Sequence, residues 1–412
     1  MNKKKIVIPL LLLLAVLVYF VGFYKDKDLR YIPENADAVF LVDTKKLTGQ
    51  YLFKMILYPS HWSGKKTKNK NSGSLSNCGI KIPDFLQVFH IKGTRFSEWY
   101  TVIELKDTPK FIAFLKKQNF TDKKNGYFQK DQISVFVNGD LVLAGTSDKA
   151  FGMIQKQLFQ KPVQAVWNAD QFIHNTLGSF SFISEYGIQN FAIDLNDDDI
   201  EIKNNSNSDI FNFIAAKTLP GNHCTQLELD KDNIRSFARF FNKGISDSLQ
   251  ASYLKVTVDL KQVNDTIVSY DYDENFNEIE KTTFQKITQP QYIIEFQTKD
   301  PEKTGEYFQS KKWINSENQF TAIPFQPNEV KQHDNGFIVQ SSGNRFISLP
   351  PLKQNYILIR NNSLLYSSLK TLNETEKRII SDIDYVLYAN KSQNYWLKIK
   401  AKKGKLPLIL RW

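Results

Sequence analysis

The side chains best able to do chemistry in this sequence are five histidines, two cysteines and two clusters of carboxylates. His61, His90, His174, His223 and His333 are scattered, with no His-x-x-x-His or related spacing that would bring two imidazoles to one metal ion. Each reads as a surface or packing residue. Cys224 directly follows His223, but neighbours on a strand point to opposite faces, which separates a thiol from a base. Asp194, Asn196 and Asp198 in DLNDDDIEI alternate as at the start of a calcium loop. Asp199 stands where that loop needs glycine and Asn205 where it needs a bidentate glutamate, so a polar hairpin turn accounts for the run better. Asp271, Asp273 and Asn275 in DYDEN show the same pattern and take the same explanation. The sequence holds no G-x-S-x-G elbow, Walker loop or G-x-G-x-x-G fingerprint. Paired carboxylates for glycoside hydrolysis depend on a separation that only a fold sets, and no spacing selects a pair. The residues point to no catalytic group, metal ligand or cofactor site.

The compartment follows from the first residues. Lys3, Lys4 and Lys5 precede an uninterrupted apolar stretch from Ile6 to Tyr24, closed by Lys25. Nineteen residues make roughly 28 Å of helix, about the thickness of a bilayer core. Phe20 and Phe23 stand where a cleaved signal peptide would need small residues, which favours an uncleaved anchor. The lysines favour a cytoplasmic N-terminus, placing residues 25–412 in the periplasm. Only seven residues, 25–31, separate the anchor from the first strand, and they span at most roughly 25 Å. A chain so tethered sits close to the inner membrane.

The 412 residues allow two ordinary domains, and a chain 42% hydrophobic and 24% charged is globular. Net charge is +11, which favours anionic partners such as phospholipid headgroups. Nucleic acid is excluded as a partner by the expected topology and by the dispersal of the lysines. Cys78 and Cys224 are too few for a disulfide framework. An exported location permits one bridge between them, while a polar loop around Cys78 and a strand start at Cys224 fit two unpaired thiols.

The chain repeats itself. Pro33, Asn35 and Asp43 recur 187 residues on as Pro220, Asn222 and Asp230. Between them apolar residues alternate, as on a half-buried strand. A helical pattern follows each copy, with Leu47, Tyr51, Leu52 and Met55 on one face in the first and Ile234, Phe237 and Phe241 in the second. Asp43 and Asp230 stand at the N-caps. YTVIELKDTPKFIAFLKKQNF from Tyr100 matches YIIEFQTKDPEKTGEYFQSKKW from Tyr292, each a strand, a cap at Thr108 or Asp300, and a proline at the first helical position. KDQISVFVNGDLVLAGTS from Lys130 matches KQNYILIRNNSLLYSSLK from Lys353, both read as hairpins that turn at Asn138-Gly139 and Asn361-Asn362. Three matches in register make an internal duplication. Each half reads β–α–β–β–α–β–β–α and ends in a further hairpin. The expected fold is α+β: a first lobe over 32–210 and a second over 211–412, each a mainly antiparallel sheet with helices on one face.

Additions to the repeat are the places where function could have been added. Lys65, Lys66, Lys68 and Lys70 lie in the polar stretch Ser63 to Asn77, which reads as a solvated loop able to touch anionic headgroups near the tether. NDTIVSYDYDENFNEIEKT lengthens a strand pair with an acidic excursion, and NQFTAIPFQPNEVKQHDNGF adds Phe320, Ile323 and Phe325 as a flap or a packed loop.

The anchor, the strand entry in IPENADAVFLVD and the duplicated α+β plan resemble a loose group of envelope proteins of Bacteroidota that carry domain-of-unknown-function labels. That resemblance implies an exported location and brings no catalytic residues. It also implies O-glycosylation at Asp-Ser/Thr-aliphatic sites, a pattern matched by Ser248 in DSL and Thr266 in DTI. The sequence thus favours an anchored scaffold or accessory subunit of an envelope assembly. The alternatives are a carrier of a lipid or other apolar ligand in the cleft between lobes, and a hydrolase with an unrecognised site.

Overall fold

The structure is a computed structural model that describes residues 24–59, 78–159, 167–204, 209–241, 251–322, 328–341, 350–368 and 372–411. The chain forms two compact units: one ends at Asn204 and takes back the chain from Gly404, and the other comprises residues 205–403. Within each unit the described strand pairs are antiparallel, and with eight helices among the described residues the class is α+β. Most of the apolar run at 6–24 lies outside the described residues. Among them, no helix is long and apolar enough to cross a membrane.

In chain order the first unit contains β1 (Asp28–Leu29), β2 (Ala36–Asp43), α1 (Thr44–Leu57), β3 (Phe85–Ile91), β4 (Trp99–Glu104), α2 (Thr108–Lys117), β5 (Thr121–Asp122) and β6 (Tyr127–Lys130). It continues with β7 (Ile133–Asn138), β8 (Leu141–Gly145), α3 (Phe151–Leu158), β9 (Trp167–Asn168), β10 (Gly178–Ser184), β11 (Gly187–Leu195) and β12 (Asp199–Lys203). The repeated phrase forms the central strand β2, because its alternating apolar residues suit a position between β10 and β3. The sheet runs β12-β11-β10-β2-β3-β4-β8-β7-β6-β5. β1 and β9 pair separately.

The second unit contains α4 (Asp209–Thr218), β13 (Thr225–Asp230), α5 (Lys231–Phe241), β14 (Ala251–Tyr272), β15 (Glu278–Thr298) and α6 (Pro301–Ser310). β16 (Asn328–His333), β17 (Gly336–Ser341), β18 (Asn355–Arg360), α7 (Ser363–Ser368), α8 (Glu374–Asp382), β19 (Ile383–Lys391) and β20 (Asn394–Ala401) follow. Its sheet runs β20-β19-β18-β13-β14-β15-β17-β16, with the second copy of the phrase again central. Strand for strand this is the order of the first sheet from β12 to β7.

Local chemistry sets the element ends. Asp43 caps α1 by accepting the N–H of Lys46 at 2.8 Å, and Asp230 caps α5 by accepting that of Asn233 at 3.0 Å. Asp300 caps α6 as expected, but the cap of α2 is Asp107 and not Thr108. The Asp107 carboxylate accepts the N–H of Lys110, which starts the helix one residue earlier, and the Thr108 hydroxyl donates to the carbonyl of Gly139. The β7–β8 hairpin turns at Gly139-Asp140, where Gly139 takes φ +62°.

Three expectations need correction. No hairpin turns at Asn361-Asn362: β18 ends there and α7 begins, with the Asn362 side chain accepting the N–H of Leu365. Asparagine caps a helix as readily as it enters a tight turn. The residues that correspond to β7 and β8 are therefore β16 and β17. Helices also cover both faces of each sheet. Val142 and Leu143 are adjacent on β8 and both buried, the first among α2 side chains Phe111 and Leu115, the second among α3 side chains Phe151 and Ile154. In the second unit α4 packs on Tyr356 and Leu358, while α5 packs on the opposite face at Leu227 and Ile357. Finally, the face Leu47, Tyr51, Leu52 and Met55 of α1 is not a core face, since no residue of that helix is buried.

Candidate functional site

The principal addition to the shared plan is the β14–β15 hairpin. Near its base both strands have outer neighbours, β13 up to Val258 and β17 from Ile293. Beyond those residues the described strands pair only with each other, so 259–292 form a two-stranded ribbon. Fourteen residues from Asp259 to Tyr272 carry it out by about 45 Å. Pro290 is tolerated in β15 because its missing N–H falls on this open edge. At the tip the Asp273 carboxylate accepts the N–H groups of Asn275 and Asn277, both at 2.8 Å. Hydrogen bonds from Asn277 hold that carboxyl below the usual range. The turn leaves Phe276 at φ +62° and 85% exposed.

Register decides what each face of the ribbon presents. On one face Thr266 lies across from Phe284, Val268 from Thr282, Tyr270 from Glu280 and Tyr272 from Glu278. The other face pairs Val263 with Ile287, Ile267 with Thr283 and Asp271 with Ile279. Ile267, Val268, Tyr270, Tyr272, Ile279 and Phe284 are all exposed. A lone hairpin with apolar side chains on both faces gains little from folding in water, and such a surface marks an interaction site. Between 259 and 292 seven carboxylates stand against three lysines, an acidic segment on a basic chain. The arm therefore suits a partner surface that is both apolar and basic. Sequence reasoning located the strand pair and its acidity. It missed the extent of the exposure, which depends on neighbours that stop at Val258 and Ile293.

Thr266 lies exposed on this arm. Ser248, Lys65, Lys66, Lys68 and Lys70 lie outside the described residues, as do His61, Ile323 and Phe325. Phe320 packs against Phe308 and Trp313.

The remaining polar clusters are tied into the fold by hydrogen bonds. His90 is buried, with Nδ1 2.5 Å from Asp37 Oδ1 and Nε2 2.9 Å from the Arg95 carbonyl, and Phe96 and Trp99 pack on its ring. With both nitrogens engaged, the ring serves to bind the β3–β4 turn. His223 Nδ1 lies 2.8 Å from Asp259 Oδ2, and Asp259 Oδ1 accepts the N–H of Cys224 at 2.8 Å. The Cys224 thiol faces the Arg360 carbonyl at 3.7 Å, and burial pushes it above the ordinary thiol value. Cys224 and Cys78 are both buried thiols. His174 and His333 are exposed. Asn196 closes the β11–β12 turn through Asp199, donating to its side chain at 2.6 Å and to its carbonyl at 2.8 Å, while Asp194 pairs with Lys203. Among the described residues no group of three or more His, Cys, Asp or Glu could hold a metal ion.

Each unit has a cavity at the end of its sheet beside the β2 or β13 cap. In the first, about 190 Å³ is bounded by Tyr31, Lys81, Phe85, Gln87 and Glu104. Tyr31 donates to Glu104 at 2.7 Å and Lys81 pairs with the same carboxylate, so hydrogen bonds from Lys81 and Tyr31 hold it below the usual range. In the second, about 280 Å³ is bounded by Asp230, Tyr253, Gln297, Lys353 and Asn355. Glu228 is buried behind it across from Lys255, itself paired with Glu295 at 3.3 Å. Burial, followed by the charge of Glu228, pushes the Tyr253 and Tyr356 phenols well above the ordinary tyrosine value. No family model matches the chain, and neither a curated protein nor a solved structure does.

Proposed function

We propose that this protein is a non-catalytic scaffold or accessory subunit of an envelope assembly, built as two lobes from an internal duplication. Residues 6–24 anchor it in the inner membrane with the N-terminus cytoplasmic and the bulk of the chain periplasmic. The observation that carries the assembly role is the acidic, aromatic β14–β15 arm, whose apolar side chains are exposed among the described residues. The shared strand order about β2 and β13 supports the duplication. The length of the apolar run and its three preceding lysines support the anchor.

The test is recovery of the full chain from native membranes in mild detergent, beside a variant carrying Val268→Ser, Tyr270→Ser and Phe284→Ser. A partner held by the wild type in fixed proportion and lost from the variant supports the reading. Recovery of the chain alone, or a partner held equally by both, refutes it.

A further inference from the structure

Helix α1 is built the wrong way round for a helix that serves only a core. Its 14 residues run about 21 Å. Toward its own unit it turns Leu47, Gln50 and Lys54, the last paired with Asp197 at 2.5 Å. Its most exposed apolar side chains are Leu52, Phe53, Ile56 and Leu57, at 53%, 58%, 67% and 54%, with Phe53 at the edge where the helix borders Asn196 and Ile409. Leu52 and Ile56, at i and i+4, form the centre of this exposed surface, and Phe53 and Leu57, also i and i+4, form the flank nearer Gln50 and Lys54. The helix in the corresponding place of the other sheet, α5, behaves differently: Ile234 is buried and Phe237 packs beside Leu229.

The position of α1 along the chain says what covers the stripe. Lys45, in its first turn, donates to the carbonyl of Tyr24, the last residue of the apolar run. Lys25 pairs with the capping carboxylate of Asp43 and lies 6.0 Å from the Phe85 ring centroid. The point where the chain leaves the apolar run is thus fastened to the start of α1. Lys45, Lys46 and Lys54 tie the helix to its own unit through Asp84, the Asn175 carbonyl and Asp197, and the lysine-rich stretch from Lys65 follows the helix in sequence. An apolar stripe flanked by lysines, beginning where a membrane segment ends, is the composition of a helix that lies in a bilayer surface.

We propose that α1 is an interfacial membrane helix, with Leu52, Phe53, Ile56 and Leu57 inserted among the lipid chains of the leaflet from which the anchor emerges. This rests on the anchored reading above. Docking by α1 removes the freedom left by the tether and holds the first unit in one orientation on the bilayer, with the helix axis along the surface.

The test uses the full chain in phosphatidylcholine–phosphatidylglycerol vesicles, with an environment-sensitive fluorophore on Phe53→Cys or, as an aqueous reference, on Tyr270→Cys. Retention after an alkaline wash is scored on the same vesicles. The expected result is retention, with the label at 53 quenched by brominated lipid and shielded from iodide, and the label at 270 showing the reverse. Adding Leu52→Ser and Ile56→Ser should cut bromolipid quenching at 53 severalfold without moving the thermal midpoint, since neither side chain is buried. Retention with iodide quenching at 53 equal to that at 270 overturns the docking while leaving the anchor standing. Shielding from both quenchers means that protein covers the stripe, and overturns it as well. If the wash strips the chain from the vesicles, the anchored reading fails and the docking falls with it.

Discussion

The carboxylate of Glu228 accepts the backbone N–H of Lys353 at 2.8 Å, tying the middle of β13 to the segment that leads into β18. The same carboxylate accepts the N–H of Leu352 at 2.9 Å. In the first copy of the phrase this position is Leu41, which is fully buried among apolar side chains. Glu228→Ala should destabilise the second unit by about 2 kcal/mol or more, because it leaves the partly buried N–H groups of Leu352 and Lys353 without their charged acceptor and opens a space at a buried position. Urea unfolding followed by labelling of Cys224 measures it, and a cost below that of an ordinary surface change would remove Glu228 as a structural clamp.

Glu104 makes the first unit sensitive to acid. Lys81 and Tyr31 hold its carboxyl below its ordinary value near 4.5. A depressed carboxylate contributes stability that is present above the unfolded value and is lost as pH falls through the folded one. The first unit should therefore weaken between about pH 5 and pH 2, and Glu104→Gln should flatten part of that slope. Denaturant midpoints of both proteins across the range provide the comparison, and parallel profiles would contradict the assignment.

Gly336 opens β17 at φ +152°, and a Cβ there would stand 2.0 Å from the carbonyl oxygen of Phe296. Gly336→Ala should cost at least about 2 kcal/mol, through both strain and separation of β15 from β17. A thermal midpoint unchanged from wild type would show that the strands do not approach this closely.

Amide exchange should divide β14 along its length. Leu254 and Val256 lie between two neighbours, whereas Val268 and Tyr270 have one. Protection in the arm should fall roughly a hundredfold or more below that near the base. Uniform protection in the isolated chain would mean that the arm is already covered.

Each unit carries one buried cysteine thiol, Cys78 in the first and Cys224 in the second. In the folded protein both should resist alkylation, Cys224 further so because burial raises its thiol. Mass spectrometry of iodoacetamide adducts along a denaturant series should resolve two separate unfolding events. Rapid native labelling at Cys224 would contradict its burial.

What the sequence disclosed was mostly what local spacing encodes. The caps at Asp43, Asp230 and Asp300 were legible because an acceptor before an amphipathic run has one structural use. The central strands were legible from alternation, and the β11–β12 and β19–β20 hairpins from apolar runs around polar turns. β18 was mistaken for half of a hairpin because an asparagine pair serves turns and caps alike, and only the Leu365 N–H distinguishes them. Val142 and Leu143 in succession already hinted that β8 has two covered faces, but a short apolar run fits either arrangement. For α1 the helix was legible and its exposed surface was not, since the expected face of Leu47, Tyr51, Leu52 and Met55 shares only Leu52 with the exposed set Leu52, Phe53, Ile56 and Leu57. Which side of a helix is covered lies in what packs elsewhere.

The return of the chain at Gly404 has a temporal consequence. Leu408 and Leu410 are buried in the first unit, and the N–H of Leu408 donates to the carbonyl of Asp197. A ribosome releases these residues only after the second unit has been made. The unit that emerges first therefore waits for the residues from Gly404 onward before its packing is complete, and its half-finished form must be kept from aggregating throughout synthesis.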